Sequence, residues 1–365
     1  MIMKRIWICL WFSLIFLPVA MAQTGELIVV ADSALGLNPD AQRLYNEGIT
    51  VFESNRLDEA AQKFTEAIQL ETKFEKAYLN RGKVYIQQAK WDMAIKDLDK
   101  VIELNGNAVN AFELKAQVYV EKGDKDSAVA ALTQALSKPN APAGMYYQRA
   151  MLYYELQKND EAIKDLDLCI QKDPDNAVAY NDRGSLKWKI GKLDEALLDY
   201  QSAVKKDPKL VFAHNNRGSL LREKGDYAGA IKAYNEALMV KKDYYIAMNN
   251  RGLAYFAWGK YDDALKDFNE VIKMKPDYVY ALNNRAAVYI KQKKYNEAVA
   301  DCDKAISIDK NYGDAYLNRG IAKEMLRQED QACNDWLQAA SLGVNSGEIY
   351  YNSGPCAEIE RYKNK

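Results

Sequence analysis

The stretch Met248-Asn249-Asn250-Arg251-Gly252 decides how the rest of the chain is read. Apolar Met248, Tyr255 and Phe256 recur around it at helical spacing, which places it on a helix. Asn is a mediocre helix former, so two in succession need a reason beyond local propensity. The same phrase stands thirty-four positions earlier as His214-Asn215-Asn216-Arg217-Gly218, and returns at the same interval later as Leu282-Asn283-Asn284-Arg285-Ala286. A fixed period of that length marks a repeat array, in which each unit buries its apolar face against the next.

Carried outward, the register divides the chain from Ala41 to Ser346 into nine units of that same length, without insertion or deletion. Unit position 20 is Ala every time, from Ala60 through Ala264 to Ala332. Position 8 is always Gly or Ala, and position 24 is usually large and apolar, as in Phe64, Leu98, Tyr234, Phe268 and Trp336. Antiparallel helices approach to about 8–10 Å only where side chains are small. Small residues at 8 and 20 permit that approach, and large ones at 4, 11 and 24 fill the remaining space. Gly123, Gly191, Gly225 and Gly259 share position 15, where the first helix should end in a left-handed turn. Acids such as Asp262-Asp263 follow and suit the start of the second helix. The pattern predicts an all-α chain of nine helix-turn-helix units.

These columns are similar to those of the tetratricopeptide repeats. The resemblance implies a right-handed superhelical solenoid, with the first helix of each pair lining a concave groove through positions 2, 5, 6, 9, 12 and 13. Unit 3 departs most from the pattern, and the proline between units is missing from most of them. Around the array, residues 1–22 read as a signal peptide, 23–40 as a leader or linker, and 347–365 as a C-terminal cap. Ser353-Gly354-Pro355 reads as the start of a short last helix.

The nine units can be compared with one another. Arg fills position 7 in seven of them, and in six of those position 23 is Asp: Asp97, Asp165, Asp199, Asp267, Asp301 and Asp335. Unit 1 reverses the signs with Glu47 and Lys63, and unit 3 has Lys115 with Ala131. Positions 7 and 23 are therefore expected to form an ion pair within each unit, fixing helix register more than adding stability. Arg217, opposite Ala233, is left without an Asp and becomes the Arg best suited to a ligand.

The Asn residues occupy positions 5 and 6. Asn80, Asn215, Asn216, Asn249, Asn250, Asn283, Asn284 and Asn318 resemble the asparagine ladder of the O-linked N-acetylglucosamine transferases, where such side chains hold an extended peptide by its backbone. A carboxamide offers a donor and an acceptor, matching a peptide C=O and N–H without reading sequence. Each such bond contributes roughly 0.5–1.5 kcal/mol net, so a few fall short of the ~8 kcal/mol of micromolar binding. Apolar contacts must add the rest, and Trp188, Phe256, Phe212 and Tyr280 at positions 12 and 2 offer them. The alternative is structural: the aromatics pack between units and the Asn residues tie helix to helix.

Catalytic chemistry is not expected. The single histidine, His214, falls at core position 4, so a Ser-His-Asp or His-rich metal site has no material. No phosphate-binding glycine loop or dinucleotide fingerprint occurs, and no cofactor is implied. A net charge of -1 without a basic stripe argues against nucleic acid. Lys4-Arg5, the apolar run Ile6–Leu17 and Ala20-Met21-Ala22 have the form of an export signal, and no stable membrane span is expected after its removal. Glu26-Leu27-Ile28-Val29-Val30-Ala31-Asp32 is the one strand-like piece. Cys169 and Cys302 fall in core columns, whereas Cys333 and Cys356 bracket the end of unit 9. In an oxidising compartment that pair would staple a terminus with no next unit to lean on. The expected function is a non-catalytic protein- or peptide-binding scaffold of the bacterial envelope, periplasmic or secreted. A glycan-binding module in polysaccharide export and a self-assembling structural protein are the alternatives.

Overall fold

The computed structural model describes residues 38–353 and Cys356. The signal-like segment, the leader with its strand-like piece and most of the C-terminal tail lie outside the described residues. Among the described residues there are nineteen helices and no strands, and the chain divides into two compact units on either side of residue 190.

The first unit holds α1 (Pro39–Glu53), α2 (Leu57–Leu70), α3 (Glu75–Gln87), α4 (Trp91–Leu104), α5 (Val109–Glu121), α6 (Lys125–Leu136), α7 (Ala143–Glu155), α8 (Asn159–Lys172) and α9 (Ala177–Lys189). The second holds α10 (Leu193–Lys206), α11 (Val211–Glu223), α12 (Tyr227–Val240), α13 (Tyr245–Ala257), α14 (Tyr261–Met274), α15 (Val279–Lys291), α16 (Tyr295–Ile308), α17 (Gly313–Met325), α18 (Glu329–Ser341) and α19 (Asn345–Ser353). Within each unit, helices pack against their neighbours in sequence, as a repeat array requires.

The alanine column is fully buried, from Ala60 and Ala94 in the first unit to Ala264, Ala298 and Ala332 in the second. Opposite it, Ala at position 8 is paired with Leu or Cys at position 24, and Gly with a ring except at Gly82, which faces Leu98. A Cβ on Gly252 would stand 2.6 Å from the Phe268 ring, and one on Gly218 2.7 Å from Tyr234. Gly48 meets Phe64 and Gly320 meets Trp336 in the same way. Where position 24 is Leu132, Leu166 or Cys302, position 8 is Ala116, Ala150 or Ala286. Ring and glycine are one packing solution, leucine and alanine another.

Position 15 is left-handed throughout. Gly123, Gly191, Gly225 and Gly259 have φ between 77° and 84°, and Asn55, Ala89, Gln157, Lys293 and Arg327 hold the same turn at 53–63°. The turn is imposed by the helix pair on residues that do not favour it, so glycine marks only some of its occurrences.

The array ends differ. Asn38 caps α1, its Oδ1 accepting from the N–H of Asp40 at 2.9 Å. A hollow of about 800 Å³ lies against α1 and α2, lined by polar residues including Gln42, Asn46, Thr50 and Lys63. At the other end Cys333 and Cys356 are joined by a disulfide, and Tyr350 of α19 stacks on Trp336 with centroids 5.2 Å apart. Cys356 is helical; Gly354 and Pro355, on which the expected start of a last helix falls, lie outside the described residues. Gly347 lets α19 approach within close range of the Trp336 carbonyl, a contact that a Cβ would block.

Candidate functional site: the faces of the first helices

Position 7 forms a lattice of ion pairs. Arg251 grips Asp267 with two bonds, Nε to Oδ2 at 2.8 Å and Nη2 to Oδ1 at 2.6 Å. Arg81–Asp97, Arg149–Asp165, Arg285–Asp301 and Arg319–Asp335 repeat this two-pronged contact. The remaining Nη1 reaches back to position 25 of the preceding pair: Arg81 to Thr65, Arg149 to Thr133, Arg251 to Asn235, Arg285 to Asn269 and Arg319 to Asp303. Each guanidinium thus clamps three helices. Tyrosines three residues before or four after it lie over its plane, as Tyr78 and Tyr85 do for Arg81. The pair within a unit is legible from comparing the repeats. The bond between units is not, because position 25 varies among Thr, Asp, Asn, Gln and Leu and shows no single-residue signal.

Arg217 is not the ligand-ready residue that its missing Asp suggests. It is ion-paired with Glu236, which also meets His214 Nδ1 at 3.1 Å. The second nitrogen of His214 is 2.9 Å from the Pro208 carbonyl oxygen. His214 is buried as its core column requires, but it is held by hydrogen bonds and not by ring packing alone. Substitution of Asp by Ala at position 23 is offset by Glu at position 26, one helical turn away.

The Asn column is brought together, chiefly as rungs between helices. Asn250 donates Nδ2–H to Asn215 Oδ1 at 3.0 Å, Asn284 to Asn249 at 3.1 Å and Asn318 to Asn283 at 2.8 Å. Each rung runs from position 6 of one first helix to position 5 of the one before. In the first unit Asn80 donates to the Tyr45 hydroxyl, Gln148 to Glu113, and the Tyr147 hydroxyl to Asp182, all with the same spacing. Asn80, Asn215, Asn216, Asn249 and Asn283 are buried. The carboxamides of Asn80, Asn215, Asn249 and Asn283 tie helix to helix, the arrangement that the structural alternative describes, while Asn216 accepts from Asn215 on its own helix at 3.4 Å. The reason is that helices close enough to bury Ala at positions 3 and 20 also bring positions 5 and 6 into contact, and buried amides must pair.

Asn250, Asn284 and Asn318 remain partly exposed. Among the described residues no donor reaches their Oδ1 atoms. Of the apolar residues, Trp188 is buried, Phe212 and Phe256 are half-buried, and Tyr280 is 40% exposed. The second unit therefore carries open carboxamide oxygens on α13, α15 and α17, and the first two of these helices also carry Phe256 and Tyr280. Burial pushes the Lys83 ammonium down in the first unit and the Asp314 carboxyl up in the second. The free thiols Cys169 and Cys302 are buried, and burial pushes Cys169 up to about 11, so both stay as protonated packing residues. Among the described residues, no helix is long and apolar enough to cross a membrane.

Two sequence profiles, each described as tetratricopeptide repeat, match residues 79–144, 147–211 and 181–246, and residues 245–278 and 279–312. No curated protein matches the chain. Among solved structures, a tetratricopeptide repeat protein from Parabacteroides merdae is 23% identical over 67% of this chain and 97% of its own, with a TM-score of 0.57. The C-terminal part of a repeat-containing protein from Cytophaga hutchinsonii is 22% identical over 64% of this chain and 97% of its own, at 0.50. The structure of the APC/C hetero-tetramer Cut9–Hcn1 matches 92% of this chain and 80% of its own at 13% identity, at 0.52. At these identities the likeness is one of fold.

Proposed function

We propose, for a chain that belongs to the tetratricopeptide repeat family, that it is a non-catalytic scaffold holding an extended protein segment along its first helices. The observation that carries the reading is the row of Asn250, Asn284 and Asn318, whose Oδ1 atoms stay open at the same register position; α13 and α15 also carry Phe256 and Tyr280. Such a row accepts hydrogen bonds from the backbone N–H groups of an extended chain, whatever its sequence. The aromatics supply the apolar contact that hydrogen bonds of ~1 kcal/mol each leave lacking. We place the protein in the bacterial envelope, periplasmic or secreted. Support comes from the signal-like composition of residues 1–22 and from the Cys333–Cys356 bond, which suits an oxidising compartment.

A photo-activated benzophenone residue tests the site. It is placed at Ala287, one turn from Asn283 and Asn284 on the same helix face, and separately at exposed Lys266 on α14. Irradiation of cells should yield a protein adduct from position 287 and none from 266. Adducts of equal yield from both positions, or from 266 alone, would move binding off the first helices. Cell fractionation of the same strain checks location, and a wholly cytoplasmic protein sinks the envelope assignment.

A further inference from the structure

Four tyrosine rings form an unbroken chain in the second unit. Tyr245 and Tyr278 meet edge to face with centroids 5.1 Å apart, Tyr278 and Tyr280 are 5.2 Å apart, and Tyr280 and Tyr312 are 5.4 Å apart. Tyr245 begins α13, Tyr278 and Tyr280 flank the start of α15, and Tyr312 precedes α17. Tyr280 is 40% exposed. Asn283, the residue that accepts the Asn318 rung, lies on α15, the helix whose start Tyr278 and Tyr280 flank.

One end of the band already receives a cation: Lys275 Nζ lies 5.8 Å from the Tyr245 ring centroid. The other end is different. Asp314 sits at position 2 of its unit, the same position as Tyr280 one unit earlier. It is half-buried and makes no hydrogen bond or ion pair among the described residues. Burial raises its carboxyl. Asp314 follows Tyr312 by two residues at the start of α17, and the Tyr312 ring packs on Tyr280, so the carboxyl belongs to the same end of the band; burial raises the Tyr312 hydroxyl well above its usual range. The start of α17 favours an acid, and this accounts for the residue type. It does not account for an uncompensated charge set next to exposed aromatic surface, which is costly until a counter-ion arrives. Tyrosine faces joined to a carboxylate are the chemistry that receives an organic cation.

We propose that Tyr280, Tyr312 and Asp314 form a site for a basic side chain, Lys or Arg, carried by the segment bound along the first helices. The inference rests on the segment-binding reading above. It adds a specificity element to it: the Asn oxygens hold any extended backbone, and this site selects a cation at one place along it.

The test is a selection of displayed random dodecapeptides on the full chain, followed by affinity measurement on single variants. Enriched peptides should share Lys or Arg at one fixed place. Asp314→Asn and Tyr280→Ala should each weaken them about 5- to 30-fold, and Tyr280→Phe should not. Replacing the basic residue by norleucine should cost the same factor, and this loss should not add to that of Asp314→Asn. Circular dichroism and melting of each variant exclude misfolding, and isosteric Asp314→Asn serves if Tyr280→Ala unfolds. Enriched peptides with no fixed basic residue, or with affinities that both variants leave unchanged, overturn this site and leave segment binding standing. An empty selection removes segment binding and this site together.

Discussion

Asn250 shows how one carboxamide serves two ends. Its N–H is spent on Asn215 and holds two first helices in register, while its Oδ1 stays open. Replacing such an Asn by Ala therefore confounds binding with stability, because a buried acceptor on the preceding helix loses its donor. Asp314 carries a different conflict. Its carboxyl is raised by burial, with no partner to offset it. A folded-state pKa above the unfolded value means that the folded state binds more protons in the interval between them. Stability from this group is greatest below the ordinary aspartate value, near 3.9, and is lost as pH rises through the folded value. Asp314→Asn should raise the melting temperature at pH 7, with the gain vanishing in acid. A thermal series from pH 3 to 8 reads this directly, and a lower melting point at pH 7 would mean that the ionised form is stabilised. A site kept at a cost in stability is what a binding role requires.

Between elements, the contact of glycine and ring sets how close two helices come. Gly252→Ala pushes a methyl into Phe268 and should destabilise the chain by about 1–3 kcal/mol. Gly82 faces Leu98 at an ordinary 3.6 Å, so Gly82→Ala should be neutral or gain up to about 1 kcal/mol from helix propensity. Urea denaturation of the two variants checks the contrast, and equal effects would show that position 8 does not answer to position 24. This coupling is legible in sequence once the columns are aligned, since Ala pairs with Leu or Cys and Gly mostly with a ring. The clamp from Arg to position 25 is not legible, because Thr, Asn and Asp all supply the oxygen it needs. Likewise Glu236 answers Arg217 from a neighbouring turn, and a comparison confined to one column cannot see a partner in another.

For the whole molecule, a repeat array has no long-range core, so its ends open first. The C-terminal end carries a covalent staple: Cys333–Cys356 closes a separation of 23 residues over α19 and Trp336. Its loss should cost that end about 2–5 kcal/mol. In Cys356→Ser, amide exchange in α18 and α19 should accelerate while α13 to α16 stay protected. Unchanged protection in α18 would show that packing of Tyr350 on Trp336 suffices by itself.

The nine-unit register, the helix-turn-helix pairing, the small-residue columns and the Arg–Asp pairs within units were all determined by the sequence alone. They are local rules repeated nine times, and repetition makes a weak preference readable. Which carboxamide atoms are spent between helices and which stay open was decided only by tertiary structure. Asn215 and Asn250 look alike in the sequence, yet one is buried as an acceptor and the other keeps an open oxygen. The difference arises because stacking successive pairs brings position 5 of one unit against position 6 of the next. Burial is then set by a neighbour 35 residues away, beyond the reach of any rule about the residue itself.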